Sequence, residues 1–566
     1  MRRQIESIIN STKEPALIMS TVADYLWRNI SNLGVKTVFG LPGITTLPAM
    51  EAMRRIGAPE FVVTRHEQCA GHMADAAARL GTKPGVLLVD LGPGLANTLT
   101  AALAAMRDSS PLLIIAGQEH QSLIGREVWH EMPEIAVFSP MLKYCERVES
   151  ADAFPRLLDR ALRFALSGRP GPVLLSVPKN LWDQDIRAPL KPFAEAFLPE
   201  PAEAAIDAVI RRLMECARPV VVAGGGGRRP DAREAIRQMC ERWEMPVVTS
   251  PNGRGVLPED HPLCLGHAGR FGQTHASETL READLVLSLG CRLDDLTTHD
   301  WSLLSPQQTI IQVDVEAAMI AQNWQVDLAI VSDAGAFSRK MTEKYQKPTS
   351  AFWDLRSRAR DRLDKRNEFY AIHDTEAVKP QAVMKALETM ASDHHTIVMG
   401  GGRFQQFAGE WLVRQPENFF YAANSGTVGF ALSAAIGAAT TSPDRQVICV
   451  LGDGDFTMHC QELETAVRIG ANIKVVILND FAFGAMKARQ KVSYGTEYGN
   501  ADFAALAKSF GAQGWRITKG TEIDEKVGRL LAATGPALID VHIDLEENRS
   551  LLFGHDIGQK EKTVIR

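Results

Sequence analysis

The sequence predicts an α/β protein built from three doubly wound parallel-sheet domains. Short apolar runs alternate with helix-period segments along the whole chain, and two polar stretches cut that alternation into three blocks. The length of 566 residues also exceeds what one core accommodates, since a domain takes roughly 100–200 residues. The first block, about 17–185, carries the strand-like runs Thr37-Val38-Phe39, Phe61-Val62-Val63, Val86 to Val89, Leu112 to Ile115 and Val173-Leu174-Leu175. Ala-rich segments such as Ala70 to Leu80 fall between them as helices. Ile186 to Pro201, with four prolines, reads as a linker. The middle block, about 202–345, repeats the alternation with Val220-Val221-Val222, Val247-Val248-Thr249, Leu285-Val286-Leu287 and Thr309 to Val313. A charged helical connector, Asp354 to Glu368, leads to the third block, about 377–548. Helices between successive strands supply the crossovers that parallel pairing needs, so both sheet faces are covered.

Bulk properties narrow the function classes. Net charge is −6 with a sequence pI near 6.2, and Lys and Arg are spread along the chain, which argues against nucleic-acid and anionic-membrane partners. No apolar run approaches the ~20 residues of a spanning helix. Met1 to Met19 carries Glu6, Asn10, Lys13 and Glu14 where a signal peptide needs an unbroken apolar stretch, so it reads as a flexible lead-in to a cytoplasmic protein. The eight cysteines include no Cys-x-x-Cys pair, and several sit in apolar runs, as small buried hydrophobes do. Cys69, two residues after Glu67, is the one with a chemical context.

The most specific signal lies in the third block. Gly452-Asp453-Gly454-Asp455-Phe456 follows the apolar run Val447 to Leu451, and Asn479-Asp480 follows the run Ile473 to Leu478, with Asp480 27 positions after Asp453. The sequence between reads helix, then strand. Two parallel strands joined by a helix place Asp453 and Asp480 at neighbouring strand C-termini, the edge where open α/β sheets bind ligands. A carboxylate with a second oxygen ligand suits Mg²⁺, which leaves its other positions to water and phosphates.

This spacing resembles the diphosphate motif of thiamine-diphosphate-dependent enzymes. The resemblance runs from about Thr21 to Asn548 and is closest to acetolactate synthase-like members of the group that includes benzoylformate and pyruvate decarboxylases. It implies pyrimidine-binding, middle and diphosphate-binding domains, the first and third related in topology. Glu67, in Arg65-His66-Glu67, matches the family's catalytic glutamate, which shares a proton with the aminopyrimidine and so activates the cofactor. Gly92-Pro93-Gly94-Leu95-Ala96-Asn97 resembles the pyrimidine-binding turn, and Gly40-Leu41-Pro42-Gly43 the family's first loop. The turn Gly400-Gly401-Gly402-Arg403 with Gln405 resembles the segment whose free amides cradle the diphosphate. Val428, in Asn424 to Phe430, stands where a bulkier Met, Leu or Ile usually bends the cofactor. Asp453, Asp480 and the carbonyl of Ala482 are the implied metal ligands, with Gly452, Gly454, Asp455 and Phe456 beside the diphosphate. Asp455 replaces a common Ser and is expected to offer its backbone amide rather than its carboxylate. Glu67 and Asp453 fall in different predicted domains, and in the family a second subunit closes that gap, which implies a homodimer or homotetramer with sites at the interface.

Departures from the family leave the substrate open. Trp129-His130-Glu131 stands where acetolactate synthases carry Phe-Gln, and Arg489 stands where members choosing larger acceptors carry Trp. The decarboxylase histidines have no counterpart, which leaves Asp90, His120 and His130 as candidates for proton transfer, and Trp129 and Arg489 for substrate. The resemblance implies a carboligase that decarboxylates a 2-oxo acid and transfers the acyl unit to a second carbonyl. The alternatives are a decarboxylase releasing an aldehyde and a non-catalytic, cofactor-binding paralogue. In the middle block, Gly224 to Gly227 breaks the dinucleotide fingerprint at Arg229, while Gly266-His267-Ala268-Gly269 and Arg292 to Asp295 resemble flavin-contacting segments imperfectly. Bound FAD and a purely structural domain both remain open.

Overall fold

Three six-stranded sheets, all parallel, organise the chain. The computed structural model describes residues 20–544 apart from positions 82, 195, 403 and 500, so the N-terminal lead-in and Arg403 lie outside the described residues. The chain forms two compact units, Met1–Ala196 and Phe197–Arg566, which meet inside the proline-bearing linker.

In the first unit the strands are β1 (Thr37–Gly40), β2 (Glu60–Val63), β3 (Gly85–Val89), β4 (Leu112–Gln118), β5 (Tyr144–Arg147) and β6 (Pro172–Pro178), in spatial order 2-1-3-4-6-5. Every residue of β3, β4 and β6 is buried, as strands covered by helices on both faces require. The core gathers Val22, Leu26, Trp27, Val86, Leu113 and Trp182. Both indoles place their N–H on a carbonyl, Trp27 on Ala49 and Trp182 on Thr45. Ser20–Thr21 pairs with Asp185–Ile186 in a two-stranded antiparallel ribbon, so the expected linker starts later than Ile186. β5 has no apolar run and was not legible as a strand; it is an edge strand with mostly half-exposed residues.

The second unit holds two sheets. In the middle sheet, β7 (Pro219–Ala223), β8 (Val247–Thr249), β9 (Cys264–His267), β10 (Leu285–Leu289), β11 (Thr309–Asp314) and β12 (Leu328–Val331) take the order 9-8-7-10-11-12. In the third, β13 (His395–Met399), β14 (Phe419–Phe420), β15 (Gln446–Gly452), β16 (Ile473–Asn479), β17 (Gln513–Ile517) and β18 (Ala537–His542) run 14-13-15-16-18-17. That is the strand order of the first unit repeated. Both orders reverse direction between their first and third strands, a topological switch point where strand ends diverge and leave a crevice.

A buried polar network ties the middle and third sheets together. Arg254 Nε meets Glu259 Oε1 at 2.8 Å with both side chains out of solvent. The second Glu259 oxygen accepts the Val413 N–H at 2.9 Å, and Arg254 donates to the Trp411 carbonyl at 2.5 Å. The connector is the helix Arg356–Tyr370, and it is less solvated than its charge suggests: Arg362 and Arg366 are buried, donating to the carbonyls of Glu259 and Glu410. All eight cysteines are free thiols, and Cys69 is buried. No helix among the described residues is long and apolar enough to cross a membrane.

Burial alone pushes the Glu259 carboxyl up, but the charge and hydrogen bonds of Arg254 outweigh it and hold it below its ordinary value. Glu259→Ala should therefore cost about 3–5 kcal/mol, because it strands a buried guanidinium. Urea unfolding at neutral pH checks this. Because the folded value is the lower one, the Glu259 contribution is complete above the unfolded carboxyl's range and is lost as pH falls through the folded value. The gap between wild type and variant should narrow in acid.

Candidate functional site

Each of the two sheets with the 2-1-3-4-6-5 order presents sequence-selected residues at its C-terminal edge. In the third sheet β15 and β16 pair in register, Gly452 opposite Leu478, so Asp453, directly after β15, and Asp480, directly after β16 and one position further along, leave neighbouring strands. Only 2% of Asp453 and 4% of Asp480 is exposed. Burial pushes the Asp453 carboxyl up to about 6, against the opposing pull of the Tyr498 hydroxyl, nearby amides and Asp480. Its Oδ2 is fully buried with no hydrogen-bond partner among the described residues. The Tyr498 hydroxyl is near enough to influence that carboxyl but is not at bonding geometry. A buried carboxylate oxygen lacking a donor costs several kcal/mol unless it protonates or meets a cation. The oxygen-only donor set of two carboxylates fits a hard divalent ion such as Mg²⁺.

The turn after β16 is shaped by an amide. Asn479 donates to Asp540 at 2.9 Å and accepts the Phe481 N–H at 3.1 Å, and Asp540, fully buried, also takes Arg516 and His542. This holds Phe481 in the left-handed region (φ 58°), which turns the chain from Asp480 to the buried Ala482.

Asp455 departs from expectation. Its carboxylate, not its amide, makes the contacts: Oδ2 accepts the Gly401 N–H and Oδ1 the Gly429 N–H, each at 2.7 Å. The Gly401 amide is thus committed to Asp455 rather than free to cradle a phosphate. Burial pushes Asp455 up to about 7 while these two amides pull it back. Gln405 donates to the Gly400 carbonyl at 3.3 Å, and Gly402 is left-handed (φ 112°). Val428 is 39% exposed beside the Gly401 turn. Phe456 is fully buried edge-on to Phe503. Gly452 and Gly454 leave no room for a Cβ, which would come within 2.5 Å of Phe404 and 2.9 Å of Phe483. Arg489 is exposed and donates to the Ala485 carbonyl.

In the first unit, Glu67 opens the helix Glu67–Leu80 directly after β2, buried with 9% exposure. Asn97 Nδ2 donates to Glu67 Oε2 at 2.9 Å, which orients the carboxylate. A Cβ on Gly94 would sit 3.3 Å from Glu67 Oε1, and one on Gly92 (φ 58°) would strike the His130 carbonyl at 1.9 Å, so the Gly92-Pro93-Gly94 turn packs between them. Glu67, Asn97, His130 and this turn therefore form one cluster. Asp90 adjoins it, but its Oδ1 is taken by the Thr45 amide at 3.2 Å and by the Thr45 hydroxyl, which ties down the Gly40 to Gly43 loop. His130 is left-handed (φ 67°), its ring centre 3.9 Å from that of Trp129 and tilted 34° to it, and Trp129 is 75% exposed. His120 is exposed and bonds Ser122 at 2.9 Å.

Tyr498, Asp540, Thr45 and His459 were not identified from sequence. His459 has one legible signal: it lies four residues after Asp455, on the same face of the helix Asp453–His459. The others come from distant segments.

Three family models match the chain: the thiamine pyrophosphate enzyme N-terminal TPP binding domain over residues 20–137, the central domain over 206–341, and the C-terminal TPP binding domain over 400–541. Among curated relatives, the acetolactate synthase large subunit of Parasynechococcus marenigrum (strain WH8102) is 32% identical over 91% of this chain and 86% of its own length. The acetolactate synthase isozyme 3 large subunit of Escherichia coli (strain K12) is 30% identical, covering 94% and 96%. The mitochondrial acetolactate synthase catalytic subunit of Saccharomyces cerevisiae is 31% identical, covering 91% and 79%.

If Asp480 ligates Mg²⁺, Asn479→Ala, which loosens the turn that carries it, should lower Mg²⁺ affinity roughly 10–100-fold. The check is Mg²⁺ titration of thiamine diphosphate binding, with far-UV circular dichroism unchanged.

Proposed function

The chain belongs to the thiamine pyrophosphate enzymes, and on that premise we propose that it is a carboligase. It decarboxylates a 2-oxo acid and joins the acyl unit to a second carbonyl compound. The observation that supports this most is the adjacent pair of buried carboxylates, Asp453 and Asp480, at the ends of β15 and β16. With the Ala482 carbonyl they would hold Mg²⁺, and Mg²⁺ would hold the diphosphate. When bound, thiamine diphosphate supplies a nucleophilic carbon able to accept the electrons released by decarboxylation.

The chain's own residues position and move protons. Glu67 is buried, oriented by Asn97, and sits at the glycine turn where an aminopyrimidine ring could approach backbone closely. In this reading it holds a proton at the pyrimidine nitrogen, and burial keeps that exchange from water. Val428 supports the bend of the cofactor. His130, its backbone packed on the Gly92 turn, is better placed than His120 to exchange a proton with substrate. Arg489 and Trp129, both exposed, are candidates for contacting a substrate carboxylate and its side chain. A second copy of the chain completes the site, as the resemblance implies, and cysteines outside any disulfide accord with a reducing, cytoplasmic setting.

FAD stays an implication of the resemblance alone, carried by Gly266 to Gly269 and Arg292 to Asp295, and the chemistry proposed here does not call for it. Decarboxylation followed by carbonyl addition involves no net oxidation. In the Gly224 to Gly227 turn, the Gly224, Gly226 and Gly227 amides already bond the carbonyls of Leu289, Gly290 and Gly224. The turn packs on Gly290 so closely that a Cβ on Gly226 would lie 2.8 Å from its Cα, which leaves no cradle for a pyrophosphate.

The test is turnover with Mg²⁺, thiamine diphosphate and a panel of 2-oxo acids, following CO₂ and products by mass. CO₂ with a coupled hydroxyketone or hydroxy-oxo acid is expected; CO₂ with free aldehyde alone would make it a decarboxylase. Glu67→Gln should reduce turnover by at least ~100-fold. An unchanged rate would remove Glu67 from the chemistry.

A further inference from the structure

One short helix grips the two turns that flank the cofactor cleft. The helix Asp453–His459 starts at the end of β15, and residues 455 and 459, one helical turn apart, point the same way. Asp455 Oδ1 accepts the Gly429 N–H at 2.7 Å, and His459 Nδ1 lies 2.9 Å from the Gly429 carbonyl oxygen. A carbonyl can only accept, so His459 carries its proton on Nδ1. Gly429 is thus held at both its amide and its carbonyl. Its φ of +88° suits glycine, and a Cβ there would lie 2.6 Å from His459 Nδ1, so no other residue fits.

The second oxygen of Asp455 reaches the other turn, accepting the Gly401 N–H at 2.7 Å. The two turns face each other: a Cβ on Gly401 would be 3.5 Å from Val428 Cγ2 and 3.5 Å from the Thr427 carbonyl. One carboxylate therefore spans both amides and sets the separation of the turns. A serine hydroxyl, with its single oxygen, does not have this two-oxygen fork. Val428 is the residue before the doubly held Gly429, and it is smaller than the residues expected at that place. A small side chain supports a bent ligand only if its backbone is held in register.

We propose that Asp455 and His459 are positioning residues that clamp Gly429 and Gly401 together, fixing the place of Val428 and the width of the thiamine diphosphate cleft. This rests on the function proposed above. The clamp exists in the protein without cofactor, so it can be examined there directly. Backbone amide hydrogen exchange of the full chain, without cofactor or metal, should show Gly401 and Gly429 exchanging roughly 10–100-fold faster in Asp455→Ala, as loss of a buried hydrogen bond predicts. Asp455→Asn keeps the side-chain volume and one acceptor oxygen, so it should retain protection at only one of the two glycines. In parallel, Asp455→Ala should weaken thiamine diphosphate binding in Mg²⁺ by about 10-fold or more, and Asp455→Asn by less.

Unchanged exchange at both glycines in Asp455→Ala and Asp455→Asn overturns the clamp. Faster exchange with unchanged cofactor affinity overturns its role toward the cofactor. If unaltered protein binds no thiamine diphosphate, the proposal falls with the reading it rests on, and that failure is recognisable because the wild type itself shows it.

Discussion

Three carboxylates, Asp453, Asp455 and Asp480, are buried at the C-terminal edge of one parallel sheet, and much of the surrounding structure answers the cost of placing them there. A carboxylate removed from water needs donors or a cation. Asp455 finds donors in two glycine amides, so two turns must come to it. Asp453 keeps a buried oxygen without one, so either a proton or a cation must offset its cost. The same edge thus contains a carboxylate with both oxygens satisfied by the protein and another, Asp453, with one oxygen that is not. That difference separates scaffold from site.

The two halves of the chemistry reuse one topology. The first and third sheets share the order 2-1-3-4-6-5, and in each the sequence-selected glycine turns flank the switch point. In the first unit the crevice is lined by a carboxylate oriented by an amide, Glu67 with Asn97. In the third it is lined by the acidic pair. Equivalent scaffolds offer equivalent edges, and the side chains placed there decide what chemistry each edge offers.

The middle sheet has a different role. Its glycine turn is closed on its own neighbours, and its strongest polar feature, Arg254 with Glu259, faces the segments that precede β14. A buried ion pair is a weak source of net stability but a demanding one for geometry. The connector helix follows the same logic, because buried Arg362 bridges the Glu259 carbonyl and the Gln273 side chain, and buried Arg366 the Glu410 carbonyl and the Glu388 carboxylate.

The sequence by itself determined the three-block α/β plan and the adjacency of Asp453 and Asp480. Both follow from local information: the period of apolar residues, and the crossover that any strand–helix–strand unit must make. Where that local signal is weak the plan was incomplete, as at β5, β9 and β12, short strands away from the sheet centres. Only the tertiary structure decided what the polar side chains do. Asp455 bonds across 26 and 54 positions of chain, and Asn479 reaches Asp540 across 61, and none of these contacts follows from one strand–helix–strand unit. A carboxylate near a ligand and a carboxylate holding two turns look alike in sequence. Their difference lies in which donors the fold brings within 3 Å of each oxygen, and that is set by packing between distant segments.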